Sequence, residues 1–134
     1  MPDIVTRWEW RAFGPRLKSA EAWLAAQQST GVQESDEIYF LSGAVSIVKL
    51  RSDLMDIKLL REVDASGLER WEPVMKAGFP LSAADVAQVF EALRLELPAS
   101  SRTTWSVEDF IRDFAGAKGP LRAVAVHKRR VRYS

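Results

Sequence analysis

The chain has 134 residues, with 19 Lys and Arg against 18 Asp and Glu, one His, five Trp and no Cys. That length fits a single domain over 1–134, and 47% hydrophobic with 28% charged residues excludes a disordered or collagen-like chain. Without cysteine there is no disulfide, thiolate metal site or cysteine nucleophile, and one His cannot build a centre on two imidazoles. No run approaches the roughly 18 apolar residues of a membrane-spanning helix. The start, MPDIVTRWEW, lacks the pattern of a secretory signal, so a cytoplasmic location without membrane contact is the expectation.

In chain order, Ile4–Phe13 alternates charged and large apolar side chains, with Arg7, Glu9 and Arg11 on one parity and Trp8 and Trp10 on the other. Period-two alternation predicts a strand, ended by Gly14-Pro15. Leu17, Ala20, Trp23, Leu24 and Ala26 then recur at helical spacing, and Thr30-Gly31 is the predicted stop. The polar run Gln33–Asp36 leads into a short strand, Glu37–Leu41. Further strands are predicted at Ala44–Arg51, Leu54–Val63 and Leu68–Met75, separated by Ser42-Gly43, Ser52-Asp53 and Ala65-Ser66-Gly67. Strands at this short spacing make a β-meander.

The period changes at Ser82. Ser82 to Asp85 and Ser106 to Asp109 have the outline of capping boxes, each followed by an apolar stripe: Val86, Val89, Phe90 and Leu93, then Val107, Phe110, Ile111 and Phe114. Pro98–Ser101 is a loop between the two helices. Leu121–Tyr133 is a long final strand. The predicted order is β α β β β β α α β. Helices interrupting a mostly antiparallel sheet indicate an α+β fold.

Net charge is near zero, but residues 114–134 hold six basic groups and no acid, leaving 13 basic groups against 18 acids upstream. That asymmetry points to an anionic partner for the final strand. Charges also share parity within strands: Lys49 with Arg51, Asp56 with Lys58, Arg70 with Glu72, and Lys128 with Arg130 and Arg132. A solvated sheet face would alternate in the same way. A curled sheet would instead gather these charges on its inner face, where self-repulsion among Lys and Arg calls for anions or paired carboxylates. Triphosphate meets that need, with Arg gripping oxygens in pairs and Lys acting as a point charge. Asp56 and Glu62 are expected to pair with neighbouring Lys or Arg. His127 is read as an outward strand residue, and the five Trp as core or sheet–helix packing.

Glu37-Ile38-Tyr39-Phe40 resembles the D-x-Y-F strand of CYTH domains, the triphosphate tunnel metalloenzymes. Lys49-Leu50-Arg51 is similar to that family's R-I-R strand, Met55-Asp56-Ile57-Lys58 to L-T-L-K, and Arg70-Trp71-Glu72 to R-x-E. Val126-His127-Lys128-Arg129-Arg130 with Tyr133 is similar to V-x-K-x-R-x-x-Y. Five short motifs agree in order and spacing over nearly the whole chain.

The resemblance implies an antiparallel β tunnel-like barrel with helices packed outside, incomplete here at about six strands. It further implies a triphosphate or polyphosphate ligand and hydrolysis with Mg²⁺ or Mn²⁺. Carried over, Lys49, Arg51, Lys58, Arg70, Lys128, Arg130 and Arg11 would hold phosphate oxygens, and Glu9 and Glu72 would hold metal. No catalytic residue is assigned.

There are two departures. Arg7 replaces the leading glutamate of E-x-E-x-K, with Arg11 in place of its lysine, and the family's last two strands, ending in E-x-E, have no counterpart. An incomplete barrel leaves an open strand edge, so completion by a homodimer or a downstream segment is expected. Two other functions compete with a triphosphatase. One is a non-catalytic phosphate- or nucleotide-sensing regulatory domain. The other, ranked lower, is a nucleic-acid-binding module using the basic final strand.

Overall fold

Eleven elements follow one another in the computed structural model, which describes residues 5–134. They are β1 (Arg7–Glu9), α1 (Lys18–Ala25), β2 (Ser29–Leu41), β3 (Ser46–Arg51), β4 (Leu54–Val63), β5 (Glu69–Gly78), β6 (Leu81–Ser82), α2 (Ala83–Ala92), β7 (Thr104–Trp105), α3 (Val107–Phe114) and β8 (Arg122–Tyr133). Six strands form one antiparallel sheet in the order β1-β5-β4-β3-β2-β8, curled into a half-barrel. β6 and β7 pair separately beside the helices. The fold is α+β with a six-stranded curled sheet, as the strand and helix periods indicate. Among the described residues, no helix is long and apolar enough to cross a membrane.

Directly opposed residues on antiparallel strands project from the same face, so the register separates the two faces of the sheet. Phe40, Val48, Ile57 and Met75 lie side by side across four strands, and Leu50 and Met55 form the next row. These side chains are buried against Val86, Val89 and Phe90 of α2 and Phe110 and Phe114 of α3. Phe40 meets Phe110 edge-on at 5.3 Å, and Phe90 meets Phe114 at 5.0 Å. Each fully buried side chain of this size contributes roughly 1.5–3 kcal/mol, so this face carries the hydrophobic stability of the domain. Both capping boxes form as the sequence predicts. Ser82 and Ser106 each accept from the amide three residues on, while Asp85 and Asp109 accept from the cap amides.

Several boundaries differ from the sequence expectation. β1 holds only Arg7–Glu9 of the predicted Ile4–Phe13 strand, and Ile4 lies outside the described residues. The predicted helix stop and the polar run Gln33–Asp36 both belong to β2, which pairs with β8 along its length. Acidic β2 residues meeting basic β8 residues hold that ladder, with Glu34 beside Arg129 (3.8 Å) and Asp36 beside His127 (2.8 Å). β5 runs on to Gly78, and the two-residue strands β6 and β7 are too short to show a period in the sequence. Trp71 and Trp105 are buried, but Trp8, Trp10 and Trp23 are exposed, because β1 pairs over only three residues and α1 buries none of its own. The core or sheet–helix packing expected for all five Trp holds for Trp105, whereas Trp71 is buried on the opposite face of the sheet, outside the core.

Candidate anion-binding site

The face turned away from the helices carries charge. Across it, Glu37 lies opposite Arg51, Tyr39 opposite Lys49, Lys49 opposite Asp56, and Asp56 opposite Lys76. On the β8 side, Ser35 faces Lys128 and Gln33 faces Arg130. With Lys58, two residues along β4 from Asp56, these side chains other than Tyr39 line a cavity of about 110 Å³ holding six cations and two carboxylates. A second cavity of about 110 Å³ adjoins it, shares Lys58 and Lys76, and continues to Arg7, Glu9 and Trp71. The concave face is therefore an elongated cationic groove.

Glu37 anchors one wall. It is 2% exposed, and its Oε1 lies 3.2 Å from Lys49 Nζ and 3.1 Å from Lys128 Nζ. Ser35 donates to its Oε2 at 2.7 Å and the Tyr39 hydroxyl donates to its Oε1 at 3.2 Å. Burial alone would raise the Glu37 carboxyl, but the bonds from Ser35, Lys128 and Lys49 outweigh it and bring the pKa down to about 2. The two lysines respond differently to the same carboxylate. Burial holds Lys49 below its ordinary value, with the charge on Lys128 adding to the effect. Lys128 is opposed by burial too, yet its bonds to Tyr39 (3.1 Å) and Glu37 raise it.

Other groove cations lack such partners. Arg51, Lys58, Lys76 and Arg130 line the cavity, and none makes an ion pair or side-chain hydrogen bond among the described residues. Asp56 does not pair with a neighbouring Lys or Arg as the sequence reading expects. It is 4% exposed and its Oδ1 has no hydrogen-bond partner among the described residues. Glu62 does pair, with Arg70 at 3.1 Å.

The structure brings together Lys49, Arg51, Lys58, Lys128 and Arg130, five of the seven proposed phosphate ligands. It does not bring Arg70 there. The ladder shifts by one residue between Ile57 and Lys58, so that Met75 opposes Ile57, Pro73 opposes Lys58, and Val74 has no counterpart. This β-bulge reverses the parity of β5. Lys76 turns into the groove, whereas Arg70 and Glu72 face the opposite side, tied to Glu62 and to Arg61 (2.8 Å). Sequence parity, which places 70, 72 and 76 together, therefore assigns Arg70 and Glu72 to the wrong face, and Lys76 is missed because the predicted strand stops at Met75. Pro73 is the available signal, since a proline brings no N–H to the ladder and within sheets is confined to edges and bulges.

Arg11 lies outside the groove cavity. It bonds Glu9 at 2.8 Å, approaches Glu69 at 3.6 Å and stacks over Trp71 at 4.8 Å. The implied Mg²⁺ or Mn²⁺ finds no matching donor set. Glu9 shares its face with Glu69, opposite to the face of Glu72, so the two proposed ligands cannot hold one ion. Among the described residues no three His, Asp or Glu side chains are grouped for a metal. Hard divalent cations need clustered carboxylate oxygens, which Glu9 and Glu72 on opposite faces do not provide. His127 sits on the outer surface between Asp36 and Glu34, and its bond to Asp36 raises its pKa.

Compared with known proteins, the chain matches no family model, no curated protein and no solved structure.

Proposed function

We propose that the half-barrel binds a triphosphate- or polyphosphate-bearing anion along its concave groove, acting as a binding or sensing domain. The observation that carries this reading is the convergence of Arg51, Lys58, Lys76 and Arg130, four cations unpaired among the described residues, on one cavity beside a lysine pair already anchored by Glu37. Like charges held together on a rigid sheet repel, and a polyanion relieves that repulsion while accepting charge-assisted hydrogen bonds. The two adjoining cavities, joined through Lys58 and Lys76, suit a chain of linked phosphoryl groups better than one compact ion. The placement of Glu9 and Glu72 on opposite faces favours binding over metal-assisted hydrolysis. Nucleic-acid binding is less supported, because outward His127 and Arg129 of β8 already meet Asp36 and Glu34.

Calorimetric titration of tripolyphosphate, alongside a phosphate-release assay with and without Mg²⁺ and Mn²⁺, tests the reading. Binding without release is the expected result. Release that requires metal would return the domain to the triphosphatase class, and absence of binding at physiological salt would remove the reading. Oligonucleotide affinity that rises with length and falls steeply with salt would favour the nucleic-acid alternative. Among the described residues, β8 is an edge of the sheet with its outer backbone groups free for a further strand. Closure of the groove by a second copy belongs to the same proposal, and light scattering after size exclusion decides it.

A further inference from the structure

Asp56 is unusual in the groove: a carboxylate 4% exposed, lining a cavity whose other charges are six cations and the fully bonded Glu37. Lys49 and Lys76 lie directly opposite it on the flanking strands, yet no ion pair or hydrogen bond reaches its Oδ1 among the described residues. A buried acceptor left without a donor is costly, so such an atom at a ligand cavity marks a place where the ligand supplies the donor. Cations alone would accept any oxyanion in proportion to its charge. A carboxylate set among them accepts a hydrogen bond from an oxyanion that carries a proton and repels one that does not.

Resting on the reading of this groove as an anion site, we infer that Asp56 is a specificity-determining residue that accepts a hydrogen bond from a P–OH group of the bound phosphoryl ligand. The neighbouring cations hold the ionised oxygens, while Oδ1 selects the protonated one. The groove thus discriminates phosphate-type oxyanions from sulfate, which is fully ionised and has no proton to offer. No covalent step is involved.

Inorganic phosphate and sulfate are the probes, titrated into the full chain at mildly acidic pH while the amide resonances of Lys49, Asp56 and Lys76 are followed by NMR. Charge alone favours the sulfate dianion over the phosphate monoanion, so the sign of the preference in the unaltered protein is decisive even if a variant fails to fold. The expected result is phosphate tighter than sulfate by at least about tenfold, the factor that one lost hydrogen bond to a buried acceptor imposes. Asp56→Asn, which adds an N–H donor and removes the repelling charge, should bring the two anions within about threefold by strengthening sulfate. Sulfate binding as tightly as phosphate to the unaltered protein would overturn the inference alone. An undiminished phosphate preference in Asp56→Asn would do the same. Failure of both anions and of tripolyphosphate to bind would overturn the anion-site reading with it.

Discussion

Glu37 Oε1 lies 3.2 Å from Lys49 Nζ, an ion pair whose side chains are 1% and 10% exposed on adjacent strands of the half-barrel. The same oxygen reaches Lys128 on β8 at 3.1 Å, so one carboxylate joins β2, β3 and β8 at the groove wall. This is a buried junction of one anion and two cations. Removing its centre leaves two partly desolvated ammonium groups facing each other.

Glu37→Gln therefore destabilises the domain by about 3 kcal/mol, the cost typical of breaking a buried pair from one side. Urea denaturation of both proteins measures it. Tripolyphosphate should restore part of the lost stability, because a ligand that binds only the folded state and neutralises Lys49 and Lys128 shifts the equilibrium by mass action.

Acid should undo the same junction. The folded-state pKa of Glu37, about 2, lies below its ordinary 4.5, so its contribution is complete above 4.5 and is lost as pH falls towards 2. A shift of that size corresponds to about 3 kcal/mol. Stability followed from pH 5 to pH 2 should fall more steeply in the unaltered protein than in Glu37→Gln. Parallel profiles would show that other carboxylates govern acid unfolding.

Single replacement of Lys58 or Lys76 by Ala should weaken tripolyphosphate binding about ten- to a hundredfold, the range of one charge-assisted hydrogen bond. Arg70→Ala should change it less than about threefold, since an exposed pair on the opposite face contributes little. Calorimetry of the three variants separates the observed register from the parity read off the sequence, which places Arg70 on the same face as Lys76.

The bulge that sets Lys76 and Arg70 on opposite faces is itself held from outside, by Gln88 of α2 donating from Nε2 to the Val74 carbonyl at 3.1 Å. Gln88→Leu should cost about 1 kcal/mol of stability and speed amide exchange around Met75. It should also lower tripolyphosphate affinity, although Gln88 lies on the helix side of the sheet. Unchanged affinity with the same loss of stability would separate the bulge from ligand presentation.

Local pattern determined most of the architecture. Alternation predicts the meander from β3 to β5, and Ser82–Asp85 and Ser106–Asp109 predict both helix starts, because these signals act between residues a few positions apart. They also predict that Lys49, Arg51, Lys58, Lys128 and Arg130 share a face, since β3, β4 near Lys58 and β8 alternate without interruption there. Long-range pairing decided the rest. Gln33–Asp36 is strand only because basic β8 lies beside it, a partner about 90 residues away along the chain. A single extra residue at Val74 turned Arg70 and Glu72 away from the face that Lys76 occupies, because strand faces have a period of two and one inserted residue swaps the faces of the positions beyond it. Whether a buried carboxylate is satisfied, as Glu37 is, or left open, as Asp56 is, depends on which side chains the curled sheet brings within hydrogen-bond reach, and a list of residues does not contain that distance.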